Sequence, residues 1–92
     1  MRYLVVLDRN SPAGTAYAAG NNDGMAQVGT ESYPAIDCIE IQPESPYYLF
    51  AKRETKKPVG GTQTLYLPHS AVAFIVCYAL GDPKPMGFVQ QA

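Results

Sequence analysis

His69 is the only histidine in the chain, and Ser70 follows it. An imidazole beside a hydroxyl is a beginning of nucleophilic catalysis. That chemistry also needs an orienting acid, with all three groups converging in space. No acidic residue stands near the pair in sequence, so an enzyme is not the expected class. Two other roles stay open for His69: a turn residue that caps backbone groups, or a side chain that faces a ligand. The second concentration of chemistry is basic. Lys52, Arg53, Lys56 and Lys57 are four of the seven Lys and Arg residues. Lysine and arginine at a surface contact phosphates well. Strand alternation sets Lys52 and Arg53 on opposite faces, so they do not make one patch. A solvated hairpin whose charges keep a sheet end from aggregating is the plainer use. Tyr47, Tyr48 and Tyr66 are candidate platforms for base stacking, although tyrosines also fill sheets and interfaces.

The other reactive residue types point away from cofactors. Cys38 and Cys77 lie in apolar runs, with no Cys or His nearby at metal-ligand spacing. They are expected to be reduced and buried, with a disulfide between neighbouring strands as the alternative. Gly60-Gly61 has no following Lys-Ser/Thr and no helix after it, so it reads as a turn and not a phosphate cradle. No metal site and no cofactor is expected. The net charge of -1 argues against a generally basic nucleic-acid binder and leaves a local patch open. Arg2 precedes an apolar run of only Tyr3–Leu7, too short for the core of a signal peptide, and no stretch reaches membrane-span length. A cytoplasmic protein without a membrane partner is expected.

The elements that must hold these residues are strands. A chain of 92 residues is expected to make one domain. Arg2–Asp8 reads as a first strand, rich in β-forming residues. Residues 9–34 carry turn chemistry (Asn10, Ser11, Pro12, Gly14, Gly20, Asn21, Asn22, Asp23, Gly24) and read as a long loop, with one short helical turn at Thr15–Ala19 and a brief strand at Met25–Val28. Ala35–Gln42 is a strand with Asp37, Ile39 and Ile41 on one face and Ile36, Cys38 and Glu40 on the other. The Pro43–Pro46 turn separates it from a strand over Tyr47–Glu54. In Thr62–Leu67, Leu65 and Leu67 alternate with Thr64 and Tyr66, the period of a half-buried strand. Pro68 ends it, and Pro68–Ser70 makes a short corner into Val72–Tyr78, which is apolar on both faces. Residues 81–92 read as an irregular tail, with Met86 and Phe88 docked on the body. The expected fold is therefore all-β, a small five-stranded, strongly bent antiparallel barrel with little helix.

The order of the last four strands resembles the Sm-like family of Sm, LSm and Hfq proteins and, more broadly, SH3-like barrels. The resemblance covers roughly Ala35–Tyr78. It is strongest at LYLPHSAVAFI, a short strand, a sharp turn and a strand that opens on Val. It implies a closed homo-oligomeric ring of about five to seven subunits. The seam would use Thr64, Leu65, Tyr66 and Leu67 of one subunit and Val72, Phe74, Ile75 and Val76 of the next. The family's RNA-binding turns correspond in position to Pro43–Pro46 and Pro68–Ser70. Glu44, Ser45, His69 and Ser70, with Lys52 and Arg53, are then the candidate contacts for single-stranded RNA. His69 and the Pro43–Pro46 turn should lie at one end of the molecule. A structural or assembly module that uses the same barrel without RNA is the alternative, favoured by the slightly negative charge and by Pro68-His69 standing where the bacterial branch has Lys-His. The ring expectation also follows from the residues themselves. Neither Thr62–Leu67 nor Val72–Tyr78 holds a charge, and uncharged apolar edges are templates for association.

Overall fold

The structure, a computed structural model, describes residues 1–42, 46–55, 61–82 and 89–90. Its strands are β1 (Arg2–Leu7), β2 (Gly24–Val28), β3 (Glu31–Cys38), β4 (Glu40–Gln42), β5 (Tyr48–Thr55), β6 (Gly61–Pro68), β7 (Val72–Tyr78) and β8 (Val89–Gln90). One helix, α1 (Pro12–Ala19), follows β1, and a 3-10 turn at His69–Ala71 joins β6 to β7. The protein is mostly β, as expected, but the described strands number eight and not five. They form two antiparallel sheets, in the orders β7-β1-β3-β2-β8 and β4-β5-β6.

The interior strand β1 explains the layering. Leu4, Val5, Val6 and Leu7 are all fully buried. Alternation sends Val5 and Leu7 to one face, where they meet Ile36 and Cys38 of β3 and, from the other sheet, Leu49, Ala51, Leu65 and Leu67. Leu4 and Val6 point the opposite way, into a second cluster with Ala26, Ala35 and Tyr78. Burial of each large side chain contributes roughly 1.5–3 kcal/mol as an upper bound. The strand apolar on both faces that the sequence places at Val72–Tyr78 is therefore β1 in the interior; β7 sits at the sheet edge, with Ala73 and Cys77 exposed.

The strand expected over Ala35–Gln42 serves both sheets. It bends at Ile39, whose N–H donates to the Lys52 carbonyl at 2.9 Å as the chain leaves β3 for β4. The bend shifts the alternation by one residue. Ile36 and Cys38 before it, and Ile41 after it, all reach the core between the sheets, whereas Asp37 faces the other way. The expected grouping of Asp37 with Ile41 fails for that reason. The expected corner at Pro68–Ser70 is present, yet β6 and β7 do not pair. β6 pairs with β5 and β7 with β1, so the corner carries the chain from one sheet to the other. It is fastened by two backbone hydrogen bonds, Asp8 N–H to the Ala71 carbonyl and His69 N–H to the Tyr47 carbonyl, each 2.8 Å.

Within the long loop expected over 9–34, the brief strand expected at Met25–Val28 is β2, the helical turn expected at Thr15–Ala19 is part of the longer α1, and β3 already begins at Glu31. Ser11 caps α1 by accepting from the Gly14 N–H at 2.9 Å, and Pro12 occupies the first turn, where its missing donor costs nothing. Gly29, with φ +63, begins the two-residue turn that folds β2 onto β3, and positive φ at that position favours glycine. In the expected tail, Val89–Gln90 forms β8 against β2; Met86 and Phe88 lie outside the described residues, as do Glu44 and Ser45.

Gly14 is the buried residue of α1, and a Cβ there would overlap the Asp8 carbonyl oxygen. Gly14→Ala should therefore destabilise the fold by about 1–3 kcal/mol. At Gly20 a Cβ meets nothing within 4 Å, so Gly20→Ala should stay within about 0.5 kcal/mol of the parent. Urea unfolding of the two variants checks this, and equal midpoints would contradict it.

Candidate functional site

Two separate constellations emerge. The first is a charged network that the sequence did not reveal. Asp37, in the middle of the five-stranded sheet, is almost completely buried. Its carboxylate accepts from the Tyr78 hydroxyl at 2.9 Å and from Arg2 Nε at 3.3 Å. Arg2 also donates from Nη1 to Glu54 of β5 at 3.0 Å. Asp23, equally buried, accepts from the Asp37 N–H at 2.8 Å and thereby adds a side-chain rung to the ladder of β3. Arg53 closes the network. It donates to the Asn21 carbonyl at 2.7 Å, to Asp23 at 3.4 Å and to Gln63 at 2.8 Å. Asn21 presents that carbonyl from a left-handed conformation, φ 65, which Asn tolerates better than most residues.

Each charge in this network has an opposite charge or an oriented dipole against it, as buried ions require. Burial works against the charge of Arg2, but the hydrogen bonds to Glu54 and Asp37 more than offset it and raise its proton affinity. Burial, then the hydrogen bond and negative charge of Asp37, push the Tyr78 phenol up to about 12. Burial, with Asp23 and Asp37 adding to it, pushes the Cys38 thiol up to about 12, which suits an inert thiol. The expectation that both cysteines are reduced holds, since both are free; the expectation that both are buried fails at Cys77, which is exposed on the edge strand β7.

The second constellation is the turn and the sheet beside it. His69 and Ser70 are exposed on the 3-10 turn. The bond from His69 N–H to the Tyr47 carbonyl and the pairing of Pro68 with Tyr48 set this turn next to the described end of the Pro43–Pro46 turn. Lys52 stands on the outward face of β5 and approaches Glu40 at 3.8 Å. Arg53, on the inward face, is engaged with Asn21, Asp23 and Gln63, which leaves fewer of its donors for a phosphate. Alternation along β5 already separated the two; nothing in the sequence showed what Arg53 would hold, because Asp23 is 30 positions away. Of the eight expected seam residues, Leu65 and Leu67 are core, Thr64 and Tyr66 are exposed, and Val72, Phe74, Ile75 and Val76 are half-buried. Among the described residues no group of three His, Cys, Asp or Glu could hold a metal ion, and no helix is long and apolar enough to cross a membrane.

No family model matches the chain, and neither a curated protein nor a solved structure matches it significantly.

The network makes two predictions. Asp37→Ala should cost about 2–4 kcal/mol, since it strips Arg2 and Tyr78 of a shared partner, whereas Tyr78→Phe should cost about 1–2 kcal/mol. Equal urea midpoints for the two would contradict this ranking. The raised values also fix an alkaline limit. Unfolded, the thiol and phenol ionise near 9.0 and 10.0; folded, both stay neutral until about 12. Their contribution is complete below pH 9 and is lost as pH rises through 12. Tyr78→Phe should flatten the decline of stability across that window, and an unchanged slope would count against it. At neutral pH a thiol reagent should label Cys77 promptly and Cys38 only on unfolding.

Proposed function

We propose that this chain is an assembly subunit with an open, strongly bent barrel of the Sm-like kind, which closes into a homo-oligomeric ring by pairing β6 of one copy with β7 of the next. One observation carries the reading. The two strands connected by the 3-10 turn lie at outer edges of their sheets, and each has a hydrogen-bonded neighbour on one side only among the described residues. Neither has a charge between its ends. Natural edges are usually blunted by charge, proline or a bulge. Here the proline is at the last position of β6, and the irregularity of β7 lies at its start, opposite Val6 and Leu7. Unlike edges on one subunit make a head-to-tail contact, and such contacts close into rings when the rotation permits. The bent strand β3–β4 that feeds both sheets supports the barrel part of the reading.

RNA at the turn is the second reading, favoured by the exposure of His69 and Ser70 beside Tyr47. The commitment of Arg53 to Asp23 weakens it and favours assembly without RNA at that place. Neither reading includes a catalytic step.

Light scattering behind a sizing column tests the ring. The protein should elute as a single multiple of 10.0 kDa larger than a dimer. Ala73→Lys, at an exposed position of β7, should shift it toward monomer with its fold intact. A wild-type monomer at tens of micromolar, or a dimer, would refute the closed head-to-tail form.

A further inference from the structure

We infer that the outward face of the three-stranded sheet, built on Tyr48, Phe50 and Tyr66, binds single-stranded nucleic acid by stacking its bases. Alternation separates this face from the core. Leu49, Ala51, Leu65 and Leu67 point inward, so Tyr48, Phe50 and Lys52 of β5 and Thr64, Tyr66 and Pro68 of β6 share the outside. The register sets Phe50 opposite Tyr66 and Tyr48 opposite Pro68. The Phe50 and Tyr66 rings meet edge-to-face, with centroids 5.7 Å apart and planes at 70°, which fixes Tyr66 while it stays 65% exposed. Tyr48 is 49% exposed. Large rings held this rigidly on an open sheet lose little entropy when a flat group stacks on them.

Charge selects the partner. Lys52 lies two positions from Phe50 on the same face. The acid two positions further along β5, Glu54, already accepts from Arg2. The approach of Lys52 to Glu40 is long and partly exposed, so it is weak and open to exchange for a phosphate. Aromatic rings beside lysines are the combination that unpaired bases on a phosphate backbone require. The site differs from the turn at His69, and it leaves the backbone edges of β6 and β7 unoccupied, so it does not depend on the ring.

The chain has seven tyrosines and no tryptophan, so quenching of tyrosine emission reports binding directly. The titrant is an oligothymidylate of about 12 nucleotides at two salt concentrations. Saturable binding that weakens with salt is expected. Tyr66→Ala and Tyr48→Ala should each weaken it about tenfold, and Tyr66→Phe should retain it. Lys52→Gln should reduce the logarithmic salt slope by about one, His69→Ala should leave binding unchanged, and duplex DNA should compete poorly. Circular dichroism on each variant confirms the fold. No saturable binding at low salt would overturn the assignment, as would Tyr→Ala variants that bind like the parent or a loss that follows His69 instead. Loss of self-association in Tyr66→Ala without any oligonucleotide binding would give the face to a second copy and likewise overturn it.

Discussion

The fold depends on how a small chain keeps two carboxylates buried, one within a β-sheet and one in the bend beside it. Moving an ion out of water costs several kcal/mol even after the protein relaxes. Asp37 and Asp23 are nonetheless both buried, and they are connected, since one accepts the other's backbone N–H. The arrangement is tolerable because Arg2 and Arg53 come to it from different elements. Arg2 arrives from the start of β1 and reaches across to Glu54 of β5; Arg53 arrives from β5 and reaches back to Asn21 and Asp23. The two guanidiniums thus tie the three-stranded sheet to the five-stranded one from both directions. Apolar contacts between the sheets are non-directional and tolerate sliding. The guanidinium contacts have a direction, and a slip of one residue would leave a carboxylate buried and unpaired.

That constraint settles which strands are interior and which are left at the edges. β1 lies between β3 and β7 because Asp37 of β3 must meet Arg2 of β1 and Tyr78 of β7. Four successive fully buried apolar residues follow Arg2 and supply cores on both faces of the sheet. With β1 and β5 occupying the interior positions, β6 and β7 fall to the outside. Their lack of charge, which would suit interior strands, is thus carried by edges. The proposed assembly is a consequence of this mismatch between composition and position.

Strand positions were legible in the sequence because they rest on local pattern. Val72–Tyr78 and the corner at Pro68 are found where the alternation and the proline set them. The phase of Ala35–Gln42 was not legible beyond Cys38, because the bend at Ile39 serves pairing with β5 and leaves no mark in the alternation. Only Thr15–Ala19 of α1 is legible as a helical turn, because Pro12 and Gly14 read as turn residues. The Pro is harmless at the helix start, and the Gly is required by the close approach of Asp8, a contact invisible in sequence. The charged network was illegible for a related reason. Asp37 joins partners 35 and 41 positions away, and Arg53 reaches back 30 and 32. No local spacing encodes such pairings. Exposed residues of the candidate sites fared better: alternation separates Lys52 from Arg53, and it assigns Tyr48 and Tyr66 to the outside of their strands.

The 3-10 turn connects these observations to the proposed ring. The His69–Ala71 turn joins β6 to β7, and in a head-to-tail assembly the angle between the outer edges of those strands would set the rotation from one subunit to the next. The turn is held by backbone hydrogen bonds, from Asp8 to Ala71 and from His69 to Tyr47, and by the burial of Ala71. These hydrogen bonds run between backbone groups. The outward ring of Tyr66 adds its contact with Phe50 to the pairing of β5 with β6. In the proposed assembly the seam would use the backbone edges of β6 and β7, whereas the proposed recognition face would use the exposed rings of Tyr48 and Tyr66, so a substitution at one need not alter the other.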